Sequence, residues 1–126
     1  MIDFNDSSVF KLERISNDDI SRNAYALMVE DEEVLHGYKT FRDQVIFTNK
    51  RIITVNIKGI TGKRQELMTM PYKKIQYFSV QTVGFLELIP DSELILFFAN
   101  GQSAKFSFET TKDILEIGQV ISEFIL

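Results

Sequence analysis

The chain of 126 residues contains no cysteine, one histidine and two prolines. Lack of cysteine excludes a disulfide framework and thiolate metal sites, and leaves the redox compartment open. The lone His36 has no ordered carboxylate partner at metal spacing, so it reads as a packed or surface strand residue rather than a ligand or base. No Ser/His/Asp set, nucleophile elbow or isolated carboxylate pair is visible, which points to a non-enzyme without cofactor or metal. The longest purely apolar run, "LILFFA" at 94–99, falls far short of the ~20 residues a membrane span needs. The opening "MIDFNDSS" is acidic and has neither a basic n-region nor an apolar h-region, so the expected location is cytoplasmic.

What is present is ordinary for a folded domain. An apolar share of 44% with 25% charged residues argues against disorder, and the length allows one domain with one core. The net charge of −4 hides a segregation: residues 39–74 hold nine bases and two acids, so that segment is +7 and the remainder −11. Such a segment either forms a positive patch that steers anions or scatters its charges over several strand faces.

The first 14 residues show no period and read as an arm or irregular lead-in. At "SNDDISRNAYALM" the pattern turns helical: Ser16 is a candidate N-cap, and Ile20, Ala24, Leu27 and Met28 fall on one face. The "EDEE" run at 30–33 lacks the Asp/Asn and Gly alternation of a calcium loop and reads as a solvated linker. From 34 to 108 the signals are strand and turn, with strands expected at 34–41, 44–48, 51–57, 64–70, 76–83, 92–99 and 102–108. "RD", "NK" and "NG" are the short turns, with Asn49 expected to tolerate positive φ, and "KGITGK" is a loop with two glycines. Pro71 ends the fourth strand, "YKKI" connects, and the longest connection, 84–91, contains Pro90. "TTKDILEIGQVISEFIL" closes the chain as an amphipathic helix with Thr110 or Thr111 as its cap and Ile114, Ile117, Ile121, Phe124 and Ile125 on its apolar face. Seven antiparallel strands followed by one helix make a mainly β fold, a small barrel or sandwich with a helical plug.

The sixth strand is apolar on both faces, with Leu94, Leu96 and Phe98 on one and Ile95 and Phe97 on the other. The outer face of a lone sheet should be wetter, so Ile95 and Phe97 are expected to be covered by the N-terminal helix or by another subunit.

"GITGKR" at 59–64 invites comparison with a phosphate-binding loop. Gly62-Lys63 is followed by Arg64, Ile57 stands where the first glycine should, and a strand follows instead of a helix, so nucleotide binding is excluded. Tyr72, Lys73, Lys74 and Tyr77 interleave bases with aromatics, but a pI near 5.0 argues against nucleic acid as partner.

Residues 31–84 resemble the bacterial pleckstrin-homology (PH-like) family of small single-domain proteins. The most specific pieces are "RDQVIFTNKRII", "KGITGKR" and "MPYKKIQYFSVQTVG". The resemblance covers about 32–125 and divides the chain into an N-terminal arm and helix at 1–31 and a PH-like domain at 32–126, one compact domain overall. It implies an orthogonal seven-stranded barrel or sandwich plugged by the C-terminal helix, with an extra helix at the N-terminus. It also implies that the loops after the first and third strands meet at an open end, so Lys39, Arg42, Lys58, Lys63 and Arg64 become a candidate rim for an anion or a partner. Eukaryotic PH domains that hold inositol phosphates add a Lys/Arg-x-Arg on strand 2; "QVIFT" has no base, leaving weak attraction to anionic lipid or an acidic protein. The family further implies a cyclic homo-oligomer, five-fold for single-domain members, that mediates contacts with an as yet unidentified protein. In that reading Ile95 and Phe97 are the candidate subunit interface.

Overall fold

The computed structural model describes residues 2–3, 11–82 and 92–126. It is mainly β, with two sheets and a C-terminal helix. Two compact units emerge: Arg14–Pro71, and Met1–Glu13 together with Tyr72–Leu126.

In the first unit, β2 (Glu13–Ile15), β3 (Val34–Lys39), β4 (Gln44–Thr48), β5 (Arg51–Lys58) and β6 (Arg64–Pro71) lie in that order in one sheet. The pairs from β3 to β6 are antiparallel. Ile46 stands opposite Ile53, and both face a cluster with Val55, Ile20 and Ala24. Val45, Phe47 and Ile52 alternate to the other face and are buried as well, so β4 and β5 are apolar on both sides. The helical stretch is shorter than its period suggests. Ser16 caps only a 3-10 turn, Asn17–Asp19; Ser21 then caps the six-residue α1 (Arg22–Leu27) by accepting from the backbone of Asn23 and Ala24. Six residues are well below the ~12–15 needed for an isolated helix, so α1 depends on packing Ala24 onto the sheet. Leu27, expected on the buried face, is 44% exposed because the helix stops there and Met28 is extended. Gly37 matters for this packing: a Cβ there would come within 3.0 Å of the Ile20 side chain.

In the second unit the sheet order is β1 (Ile2–Asp3), β9 (Ser103–Phe108), β8 (Ser92–Phe98) and β7 (Ile75–Gln81). β1 runs parallel to β9, and the other pairs are antiparallel. Asn100-Gly101 turns β8 into β9, with Gly101 at φ +85°. Thr110 caps α2 (Thr111–Ile125), accepting from the Asp113 amide at 3.0 Å. Ile114, Ile117 and Ile121 are buried, and Phe124, on the rim of that face, stacks on buried Tyr72 at 5.0 Å.

Several expectations change. The strands pair into two sheets and not one closed barrel, because Pro71 ends β6 and the 3-10 turn Tyr72–Lys74 separates it from β7. The lead-in is not wholly irregular: Ile2–Asp3 and Glu13–Ile15 add two short strands, giving nine among the described residues. Asn49 does not take positive φ; among the described residues that are not glycine, only Asp31 does, at +68°. The 84–91 connection with Pro90 lies outside the described residues.

Candidate functional site

Antiparallel pairing brings the β3–β4 loop (40–43) and the β5–β6 loop (59–63) to the same end of the five-stranded sheet. Gly59 and Gly62, at φ +82° and +70°, let the second loop reverse tightly, and the Gly62 amide donates to the Gly59 carbonyl at 3.3 Å. Arg42 ties the loops together: its Nη2 donates to the same Gly59 carbonyl at 2.8 Å. Asp43, an acid amid these bases, is turned inward and accepts from the Ile57 amide at 2.8 Å. "GITGKR" is thus a hairpin loop that runs into a strand.

Each base of the proposed rim can now be placed. Lys39 ends β3 in register with Gln44, which pairs with Val55, so Lys39 shares a face with Ile57. Arg42 lies on that face too. Lys58 and Arg64 stand opposite each other and alternate to the reverse face of the hairpin, where Lys58 approaches Glu66 at 3.7 Å. Both members of that ion pair are about half exposed, so it stabilises little. Lys63 sits in the loop, and neither it nor Arg64 has an acidic partner among the described residues. The five bases therefore surround the hairpin tip on both faces and do not converge on one point.

Two residues at this end carried no weight in the sequence reading. Phe41 is 80% exposed and Ile60 fully exposed, and together with Arg42, Ile57, Thr61 and Gly62 they line a cleft of about 420 Å³. The available signal was their context, since each is a bulky apolar residue in a turn between bases. Phe41 was absorbed into a strand that in fact stops at Lys39.

At the opposite end of the sheet the expected solvated acids behave differently. The Glu32 side chain is fully buried and forms an ion pair with Arg51 Nε at 3.0 Å. Arg51 Nη2 also donates to the other Glu32 oxygen at 3.0 Å and to the Leu27 carbonyl at 2.7 Å. Thr48 Oγ1 donates to Glu32 at 2.7 Å. Burial pushes the Glu32 carboxyl up, but the bonds from Arg51, Thr48 and the Val29 amide, with the Arg51 charge, hold it below the usual carboxylate range. Asn49 closes the turn, accepting from the Glu33 amide at 2.8 Å and donating to the Asp31 carbonyl at 2.9 Å.

His36 is held in the same unit by the Arg14 guanidinium, which donates to its Nδ1. No group of three or more His, Cys, Asp or Glu that could hold a metal occurs among the described residues. Among them, no helix is long and apolar enough to cross a membrane.

On the outer face of the four-stranded sheet, Ile95 and Phe97 are half-buried. Tyr77, opposite Phe97, stacks on its ring at 4.5 Å and is itself 56% exposed. The N-terminal helix, one of the two covers considered for this face, packs on Ile46, Ile53 and Val55.

A bacterial PH domain model matches residues 3–125. The chain belongs to the bacterial PH domain family. The match takes in the segment before residue 32 that the sequence motifs did not reach. This PH domain is 39% identical over 98 residues to the uncharacterised protein YjqA of Bacillus subtilis (strain 168), covering 76% of this chain and 77% of YjqA. It is 31% identical over 111 residues to YozO of the same organism, covering 88% and 94%. Among solved structures, a DUF1696 family protein with a pleckstrin-homology domain from Shewanella loihica PV-4 superposes with a TM-score of 0.74 at 30% identity, covering 92% of this chain and 98% of that one.

Proposed function

We propose that this PH domain is a non-catalytic docking module that assembles into a cyclic homo-oligomer and holds protein partners. The observation that carries this reading is the Tyr77–Phe97 stack beside Ile95 on the outer face of β8, a partly wet apolar patch of a kind that subunit contacts cover. A ring needs a contact of this sort on every subunit, facing a different surface of its neighbour. Cytoplasmic partners are the natural cargo of such a ring. Replacing Ile95→Asp with Phe97→Asp tests the assignment: sedimentation velocity should shift from an assembled species to the monomer while the far-ultraviolet spectrum stays β-like. Unchanged sedimentation would contradict it.

A second reading is favoured by the Arg42–Gly59 bond, which gathers the bases of two loops at one end of a sheet. In that reading Lys39, Arg42, Lys58, Lys63 and Arg64 attract an anionic surface. Removing all five charges should abolish co-sedimentation with vesicles containing phosphatidylglycerol; equal pelleting of both proteins would refute it.

A further inference from the structure

We infer that Asn100 is a covalent modification site restrained by the fold: its side chain converts to aspartate and isoaspartate when the β8–β9 turn opens, and the isoaspartate product keeps the turn from closing as before. This goes beyond both readings above and depends on neither.

Of the six asparagines in the chain, only Asn100 is followed by glycine. That neighbour matters because the reaction is intramolecular and depends on close approach. The backbone nitrogen of Gly101 loses its proton and attacks Asn100 Cγ. A new N–C bond closes a five-membered imide, and the Cγ–Nδ2 bond breaks to release ammonia, which carries away the proton. Water then opens one of the two imide bonds. Cleavage at Cγ leaves aspartate in an ordinary backbone; cleavage at the Asn100 carbonyl leaves isoaspartate, with the chain rerouted through Cγ. A side chain on the attacking residue would crowd this path, and glycine has none. Asn100 and Gly101 are both exposed, so water reaches the imide.

The closed turn keeps the reacting groups occupied elsewhere. The Gly101 N–H donates to the Phe98 carbonyl at 3.1 Å, which ties up the nucleophile. Asn100 Oδ1 accepts from the Gln102 amide at 3.0 Å, and its Nδ2 donates to Gln102 Oε1 at 3.2 Å. The carboxamide is therefore clasped to residue 102, while Gly101 is fixed at φ +85°. The Phe98 amide completes the closure by donating to the Gln102 carbonyl at 3.0 Å. Attack requires the Gly101 and Gln102 bonds to break together, which is local opening of the hairpin end. Isoaspartate inserts a methylene carbon into the backbone, so the Phe98–Gln102 closure no longer fits, next to the Phe97–Ser103 pair. The site is thus quiet in the fold and irreversible once used.

The test ages the full wild-type chain in mildly alkaline buffer, with and without urea at an unfolding concentration. Tryptic cleavage after Lys74 and Lys105 releases 75–105, in which Asn100 is the only asparagine. Its conversion is read there by mass and by isoaspartyl methyltransferase labelling. Conversion should fall at residue 100 in both samples and be at least about tenfold slower in the folded chain, since two hydrogen bonds must open together. Equal rates with and without urea would overturn the restraint by the fold. No conversion at residue 100 in urea would overturn the site itself. After separation by charge, the isoaspartate form should melt below the unaged chain. Asn100→Asp, which adds the charge without lengthening the backbone and keeps an acceptor for the Gln102 amide, should melt closer to the wild type. An isoaspartate form that melts with the unaged chain would overturn the effect on the turn.

Discussion

The two ends of the five-stranded sheet are made from similar materials and use them in opposite ways. At one end, where β4 turns into β5, Arg51 turns its guanidinium inward and is shared among Glu32, Thr69 and the Leu27 carbonyl. At the other, Lys63 and Arg64 have no acidic partner among the described residues, in and next to the loop that carries fully exposed Ile60. A charge with its hydrogen bonds made inside the fold serves stability. A charge left in water beside an unsheltered apolar side chain is available to a partner. Charge runs alone therefore do not locate function; what the side chains already hold does.

The contrast can be broken most forcefully at the inward end. Arg51→Ala strands a buried carboxylate and should cost about 3 kcal/mol in denaturant unfolding, whereas a loss below about 0.5 would show that Glu32 is not held as described. Acid should act on the same pair. The folded-state pKa of Glu32 lies below its ordinary 4.5, so the stability it contributes is present above that value and is lost as pH falls through the folded pKa. Glu32→Gln should flatten that part of the stability–pH curve, and an unchanged curve would assign the acid sensitivity elsewhere. The outward end should be nearly silent: Ile60→Ser or Arg64→Ser is expected to change stability by no more than about 0.5 kcal/mol by the same unfolding measurement. A larger loss would make the tip part of the fold and remove the contrast.

Periodicity and turn chemistry were enough for the strands between 34 and 108, because alternation, Gly59, Gly62, Pro71 and Asn100-Gly101 act locally. The α2 cap was narrowed to Thr110 or Thr111 for the same reason, and Thr110 takes the role. Glu32 was not: its partner Arg51 lies 19 residues away, and nothing near the "EDEE" run distinguishes a paired acid from a solvated one. The length of α1 was missed because Ser16 and Ser21 are both competent caps, and only packing selects between them. The choice between barrel and sandwich stayed open because the number of strands does not state which edges pair; the strands form two sheets. For the candidate site, composition gave only the basic segment 39–74 and the family resemblance singled out five of its bases, but their spread over both hairpin faces follows from the Lys58–Arg64 register. Phe41 and Ile60 gain meaning only once their exposure is known.

The central claim is that this PH domain works as an assembly. Its most direct test is the mass of the wild-type chain by light scattering on a size-exclusion column at micromolar concentration. The account predicts a single species at a multiple of the 14.6 kDa protomer, five-fold if the ring has the size that the family resemblance implies. A clean peak at 14.6 kDa would contradict it.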